Sequence, residues 1–208
     1  MKRVFAFDFD GTLTTRDTLI AFIHYACGTP RFLLGFLLHA PLLVLMKLRL
    51  YSNGKTKQRL FTWFFQGMSI ETFDALCQSF ALSHRHLLRP DTVRLLQQAL
   101  SEGAEVLVVS ASIDNWVRPF FTENQGDRSR DSGQNHGPVP MILGTQIEVI
   151  DGRLTGRFLT PNCYGQEKVR RILALHPDRS TYHLTAYGDS RGDRELLAFA
   201  DEAHLVSS

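Results

Sequence analysis

Apolar residues follow two rhythms along this chain. Short, near-continuous runs occur at Val4–Phe7, Glu105–Val109, Tyr182–Tyr187 and Ala203–Val206, the pattern of strands buried on both faces. Between them, apolar positions recur every three or four residues, as on helices with one buried side. Asp17-Thr18 starts such a helix, with Leu19, Phe22, Ile23 and Ala26 on one face, and Gly28-Thr29-Pro30 stops it. Lys55 to Gln66 (Leu60, Trp63, Phe64) and a helix capped by Ser69 (Phe73, Leu76, Cys77, Phe80) come next. Arg89-Pro90 leads into a helix capped by Asp91 and ended by Gly103. Ile113 to Phe121 reads as a short helix, and Met141–Ile150 and Arg153–Phe158 as strands joined by the hairpin signal Asp151-Gly152. Gly165-Gln166-Glu167-Lys168 opens a further helix, and Gly192-Asp193 precedes the last one.

Strands alternating with helices predict an α/β fold with a doubly wound parallel sheet. Residues 1–16 and 89–208 form that core domain. Residues 17–88 form an all-helical cap inserted after the first strand. Residues 124–140 are polar and Gly-rich and read as a flexible loop, in which His136 has no evident partner.

One run breaks the helical pattern. Phe32 to Met46 carries no charge and is bracketed by Arg31, Lys47 and Arg49. A spanning helix needs about 20 apolar residues; this run is shorter and contains His39 and Pro41. It predicts a kinked helix or helix pair packed within the cap. The alternatives are a face that meets lipid or a lipid-like substrate, or one that pairs two copies.

Composition changes this picture little. Of 208 residues, 44% are hydrophobic and 21% charged, as in a globular protein, and a net charge of +2 is too mild to indicate nucleic acid. Three distant cysteines, Cys27, Cys77 and Cys163, form neither a disulfide framework nor a zinc spacing. Met1-Lys2-Arg3 before an apolar run imitates a signal peptide, but Asp8 and Asp10 interrupt the apolar stretch. His84 and His86, two residues apart, read as surface residues rather than metal ligands. The expected location is the cytoplasm, with a peripheral membrane contact if residues 32–46 face lipid.

The candidate chemistry begins where the first strand stops, at Asp8-Phe9-Asp10-Gly11-Thr12. Charges ending a buried run belong where the strand leaves its sheet, which is where open α/β sheets bind ligands. Alternation puts both carboxylates on one side. Two such charges resist joint ionisation unless a cation or proton lies between them. A divalent metal is one answer; division into nucleophile and proton carrier is another. Two other strands also end in polar clusters, at Ser110 and at Asp189/Asp193, and Lys168 opens a helix between them.

Asp8-Phe9-Asp10-Gly11-Thr12-Leu13-Thr14 resembles the first motif of the haloacid dehalogenase superfamily of phosphoryl-transfer enzymes. Ser110, Lys168 and Gly188-Asp189-Ser190-Arg191-Gly192-Asp193 resemble its second, third and fourth motifs, in order. The resemblance implies a Rossmann-like core with a cap and a Mg²⁺ cofactor. It makes Asp8 the nucleophile and Asp10 the acid and later the base, with the Asp10 main-chain carbonyl on the metal. Ser110 and Lys168 hold the phosphate, beside Gly11, Thr12 and Ala111. Asp8, Asp10 and Asp189 surround the metal, with Asp193 behind them. A second acid such as Asp10 distinguishes phosphatases from the dehalogenases and ion pumps of the superfamily.

The helical insert resembles the cap of subfamily IB, the phosphoserine phosphatase-like branch. That enzyme has Gly-Gly after its second-motif serine, where this chain has Ala111-Ser112, and the cap here is greasier. The apolar run, Leu60-Phe61-Thr62-Trp63 and Gly165-Gln166-Glu167-Lys168-Val169 also resemble the C-type phosphatidylglycerophosphate phosphatase. The expected activity is Mg²⁺-dependent phosphomonoester hydrolysis, on a small phosphorylated metabolite or a lipid phosphate. A catalytically inactive phosphate-binding protein is the alternative.

Overall fold

The structure, a computed structural model, describes residues 1–122 and 138–207. Most of the expected 124–140 loop, with His136, lies outside them. The core is a five-stranded sheet: β1 (Lys2–Phe7), β2 (Glu105–Ile113), β3 (Met141–Thr145), β6 (Tyr182–Gly188) and β7 (Glu202–Leu205). Their spatial order is β3-β2-β1-β6-β7, and every pair is parallel.

Strand alternation divides the apolar side chains between the two faces of the sheet. Phe7, Val106 and Val108 join one buried cluster, and Val4, Ala6, Leu107, Val109, Leu184 and Ala186 the other. Helix α4 (Pro90–Ser101) covers the first face with Leu96 and Ala99. Helices α6 (Gln166–Leu175) and α7 (Arg194–Phe199) cover the second with Ile172 and Leu196. This is the expected doubly wound fold. The chain runs outward from β1 in both directions, so the carboxyl end of β1 lies at the topological switch point.

Between β1 and α4 stand α1 (Thr18–Lys47), α2 (Asn53–Phe65) and α3 (Ile70–Ser83). The chain leaves and re-enters through two paired segments, with Thr15 N donating to Leu87 O and Arg89 N to Leu13 O, each at 2.8 Å. Asp17 caps α1 by accepting from Leu19 N, and Ser69 caps α3 by accepting from Thr72 N. The aromatic stripes of these helices do not make a core of their own. Phe22, Phe61, Phe65, Phe73 and Phe80 belong to the same buried cluster as Phe7, Phe9, Trp116 and Val108. Phe22 stacks on Trp116, which lies in the short helix α5 (Asp114–Val117), with ring centroids 4.9 Å apart.

The elements differ from expectation in four places. Strand β2 runs on through Ser110, Ala111 and Ser112 to Ile113, because its far end regains pairing with β3 at Ile113–Thr145 after a shift of register. The run 141–150 is two strands. Residues 141–145 extend the sheet, whereas β4 (Ile147–Ile150) turns away to pair antiparallel with β5 (Arg153–Phe158). That hairpin packs on the helical insert: Thr62 Oγ1 donates to Gly156 O, and Gly67 N to Leu154 O. Helix α4 begins with Pro90 at its first position and Arg89 as cap residue, so Asp91 lies inside the first turn. A proline suits that position because its missing N–H would find no helical partner there.

The fourth difference concerns residues 28–47. The first helix does stop at Gly28, whose φ of +71° and ψ of 163° are not helical, but no loop intervenes: a second helix follows directly and runs past Pro30 and Pro41 to Lys47. Before Gly28, α1 buries Phe22 and Ile23. Beyond it, Gly35 is the one buried residue, and one side of the helix faces outward. By length and composition α1 as a whole could cross a membrane.

Candidate active site

Asp8 succeeds β1 directly, and its N–H donates to Tyr187 O on β6, fixing the chain where it leaves the sheet. Its carboxylate is buried and meets one cation: Lys168 Nζ donates to Asp8 Oδ1 at 2.5 Å and to Asp193 Oδ1 at 2.5 Å. Lys168 comes from the first turn of α6, whose amphipathic pattern turns this position inward. The residue is 2% exposed. Burial works against the ammonium charge, but Asp8 and Asp193 outweigh it and raise the Lys168 pKa.

Asp193 is fully buried and held by its own turn, where Ser190 N and Oγ both donate to Oδ2. Asp189 stands just past the end of β6. Its Oδ1 is buried and has no hydrogen-bond partner. Burial, and then Asp193, raise the Asp189 pKa. Burial also lifts Asp8, to about 7, against the pull of Lys168 and with further push from Asp193 and Asp10. One carboxylate oxygen from each of Asp8, Asp189 and Asp193 lies within 4.8 Å of the others.

Three carboxylates sharing one ammonium leave negative charge uncompensated in a low-dielectric place. The orphaned Asp189 Oδ1 and the all-oxygen donor set fit a hard divalent cation. Asp8 and Asp189 are the side chains best placed to hold one, because Asp193 is already engaged by Lys168 and Ser190.

Asp10 points elsewhere. Its Oδ1 accepts from Thr18 N at 2.7 Å and Thr18 Oγ1 at 2.6 Å, and its Oδ2 from Ser112 Oγ at 2.5 Å. Burial, then Asp17, raises its pKa. The Asp10 side chain is therefore no member of the acidic cluster. Gly11 makes this turn possible. Its φ is +82°, and a Cβ there would fall 2.1 Å from Asp189 Oδ2, so only glycine fits.

A cleft of about 420 Å³ opens over these groups. Asp8, Asp10, Gly11, Ser110, Ala111, Lys168, Asp189 and Asp193 all line it. Thr12 does not: it is fully buried, its Oγ1 has no partner, and its carbonyl accepts from Thr92 Oγ1 at 2.8 Å. Its place is in the joint between this turn and α4. Lining residues that the sequence did not single out include Thr15, Arg16, Asn53, Thr56, Lys57 and Tyr164. The outer wall is apolar and comes from the helical insert through Leu19, Ile20, Phe36, Leu43, Met46 and Leu60. Ser112 and Thr18, which hold Asp10, carry no motif that marks them as site residues. Ser112 lies two positions past Ser110, so strand alternation turns both toward one side; that spacing is the one available signal.

Comparison with known proteins places the chain by family and by fold. The profile of the haloacid dehalogenase-like hydrolases matches residues 5–198. Protein CicA of Caulobacter vibrioides (strain NA1000 / CB15N) is 36% identical over 204 residues, covering 95% of this chain and 82% of CicA. A Bordetella pertussis Tohama I protein of unknown function has a similar crystal structure, with a TM-score of 0.75 at 21% identity, over 95% of this chain and 87% of that one. A phosphoserine phosphatase structure with a phospho-aspartyl intermediate analogue shares the fold at a TM-score of 0.53 and 16% identity, over 96% of this chain and 83% of that one.

Proposed function

Because the chain belongs to the haloacid dehalogenase-like hydrolase family, we propose that it is a Mg²⁺-dependent phosphomonoesterase working through a phosphoryl group carried on Asp8. The observation that carries this reading is the grip of Lys168 on Asp8 Oδ1 beside the unpartnered Asp189 Oδ1, at the floor of an open cleft.

Lys168 occupies one carboxylate oxygen of Asp8 and leaves the other to attack phosphorus. As that P–O bond forms, the bond to the leaving alcohol breaks. Asp10 supplies the proton the alcohol oxygen needs; burial raises its pKa and so favours the protonated form. In the second half, water attacks phosphorus, Asp10 takes the water's proton, and Asp8 departs as carboxylate. Ser110 and Lys168 are positioned to donate to the equatorial oxygens as charge spreads over them. A Mg²⁺ ion held by Asp8, Asp189 and the Asp10 carbonyl would neutralise phosphate charge during both halves.

The substrate is a phosphomonoester of a small metabolite or of a lipid. The apolar wall from Leu19 to Leu60 favours an alcohol with an apolar portion.

Turnover of p-nitrophenyl phosphate with and without Mg²⁺ tests the reading. Wild type should require the ion, and Asp8→Asn should lose turnover by at least about a thousandfold. An Asp8→Asn protein with the wild-type rate would remove Asp8 as nucleophile. Phosphate binding without turnover across a broad substrate panel would favour the inactive alternative.

A further inference from the structure

We propose that the outward face of residues 31–50 docks this protein onto an anionic lipid bilayer. The inference goes beyond the hydrolase reading and does not require it.

The first observation is a stripe. Leu33, Leu34, Leu37, Leu38, Leu45 and Leu48 are 40–71% exposed and recur at helical spacing, so they form one continuous apolar face. Single exposed leucines are ordinary, but a contiguous row of this length marks an interaction surface.

The second observation is charge. From Thr18 to Ile70 there is no Asp or Glu, while Arg31, Lys47, Arg49, Lys55, Lys57 and Arg59 are present. That segment is +6, and the remainder of the chain is −4. The separation is invisible in the overall balance of +2. Lys47 and Arg49 stand exposed at one end of the stripe, whereas Arg31 at the other end turns its guanidinium onto α2. An apolar face with exposed cations at its end and no carboxylate nearby in sequence matches an anionic interface, where each Lys or Arg adds electrostatic attraction. A second copy is a poorer occupant, because the same segment brings no carboxylate to meet these cations.

The third observation fixes the geometry. The inner side of this helix is seated on α2: a Cβ at Gly35 would lie 2.3 Å from the Phe64 ring, and Arg31 Nη2 donates to Phe64 O at 2.9 Å. A helix with one side packed on protein and His39 and Pro41 in its apolar run lies along a bilayer surface rather than across it. The bend at Gly28 is where it departs from the aromatic core. Phe36, Leu43 and Met46, on this same stretch, line the cleft, so docking would set the cleft mouth beside the lipid.

Flotation of the full chain with vesicles of phosphatidylcholine, with and without phosphatidylglycerol, tests the proposal. The protein should float with the anionic vesicles, stay behind with the neutral ones, and be released by high salt. Leu37→Glu/Leu38→Glu and Lys47→Glu/Arg49→Glu should each cut the bound fraction by about tenfold or more. Neither should alter thermal melting, since all four side chains are exposed. Asp8→Asn should float like wild type, which separates docking from catalysis. The proposal is overturned if wild type ignores anionic vesicles, or if neither double variant weakens flotation. It is also overturned if sedimentation shows a dimer that Leu37→Glu/Leu38→Glu makes monomeric while no form of the protein floats.

Discussion

Ser112 Oγ donates to Asp10 Oδ2 at 2.5 Å, while Thr18 grips the other oxygen. The proton carrier of the proposed reaction is thus held from the sheet on one side and from the first turn of α1 on the other. Ser112→Ala should leave folding and KM nearly unchanged and lower kcat on p-nitrophenyl phosphate by about ten- to a hundredfold, since it disturbs the acid but not the phosphate contacts. A drop in substrate affinity at constant kcat would place Ser112 in binding instead.

Gly11 has no tolerated replacement. Gly11→Ala must place a methyl against Asp189 Oδ2 with φ at +82°. A loss of about 1–3 kcal/mol of stability is expected from the backbone alone, measured by urea unfolding. Activity should fall further than stability explains, because the clash displaces Asp189.

Divalent ion should stabilise the protein as well as activate it. At a hundredfold excess over Kd, Mg²⁺ adds about 2.7 kcal/mol to the folded state, visible as a rise in Tm. Asp189→Asn should abolish most of that rise, while its own Tm without ion equals or exceeds that of wild type, because one uncompensated carboxylate is gone. An unchanged Mg²⁺ response in Asp189→Asn would exclude this residue as a ligand.

Acid should loosen the β6–β7 edge through Asp201. Its carboxylate accepts from Leu184 N and Arg179 Nη2, and these bonds hold its pKa below the ordinary 3.8. The native state therefore binds this proton less readily than the unfolded chain. Its stabilising contribution is complete above the unfolded pKa and is lost as pH falls through the lower, folded one. Asp201→Asn should lower stability at neutral pH and flatten the decline below pH about 4, as read from urea midpoints across pH.

The thiols should separate by burial. Cys77 and Cys163 are buried, which raises both and takes Cys163 to about 11, whereas Cys27 is half-buried. A chromogenic disulfide reagent at pH about 8 should titrate one thiol in the native state, the other two appearing on unfolding. Early release of a second equivalent would show local opening around Cys77 in α3 or around Cys163 ahead of α6.

Legibility in the sequence divides along physical lines. Buried parallel strands are written almost entirely in their own residues, so β1, β6 and the doubly wound order were legible from apolar runs and the polar clusters that end them. Asp8, Ser110, Lys168 and Asp189 do meet in one cleft, because each lies at or near the carboxyl edge of the sheet. Thr12 stands away from that cleft, since the tight turn at Gly11 carries its side chain inward; the motif string does not show that turn. Ser112 was hidden because β2 extends beyond its apolar run, sustained by pairing with β3 rather than by its own residue preferences. The break at Gln146 was equally hidden, since both halves of 141–150 look like strand and only their partners differ. The outward face of α1 was legible only as an alternative to burial: leucines spell burial by default, and only the occupied surface of α2 leaves this set outside.

The aromatic cluster joining Phe22, Phe73 and Phe80 to Phe7 and Trp116 has a consequence for the chain as a heritable object. An insertion whose phenylalanines complete its host's interior is not a cassette. Excising residues 17–88, or grafting them onto another sheet, would strip oil from both sides of the seam. The insert and the sheet should therefore melt in a single calorimetric transition and change together over evolutionary time.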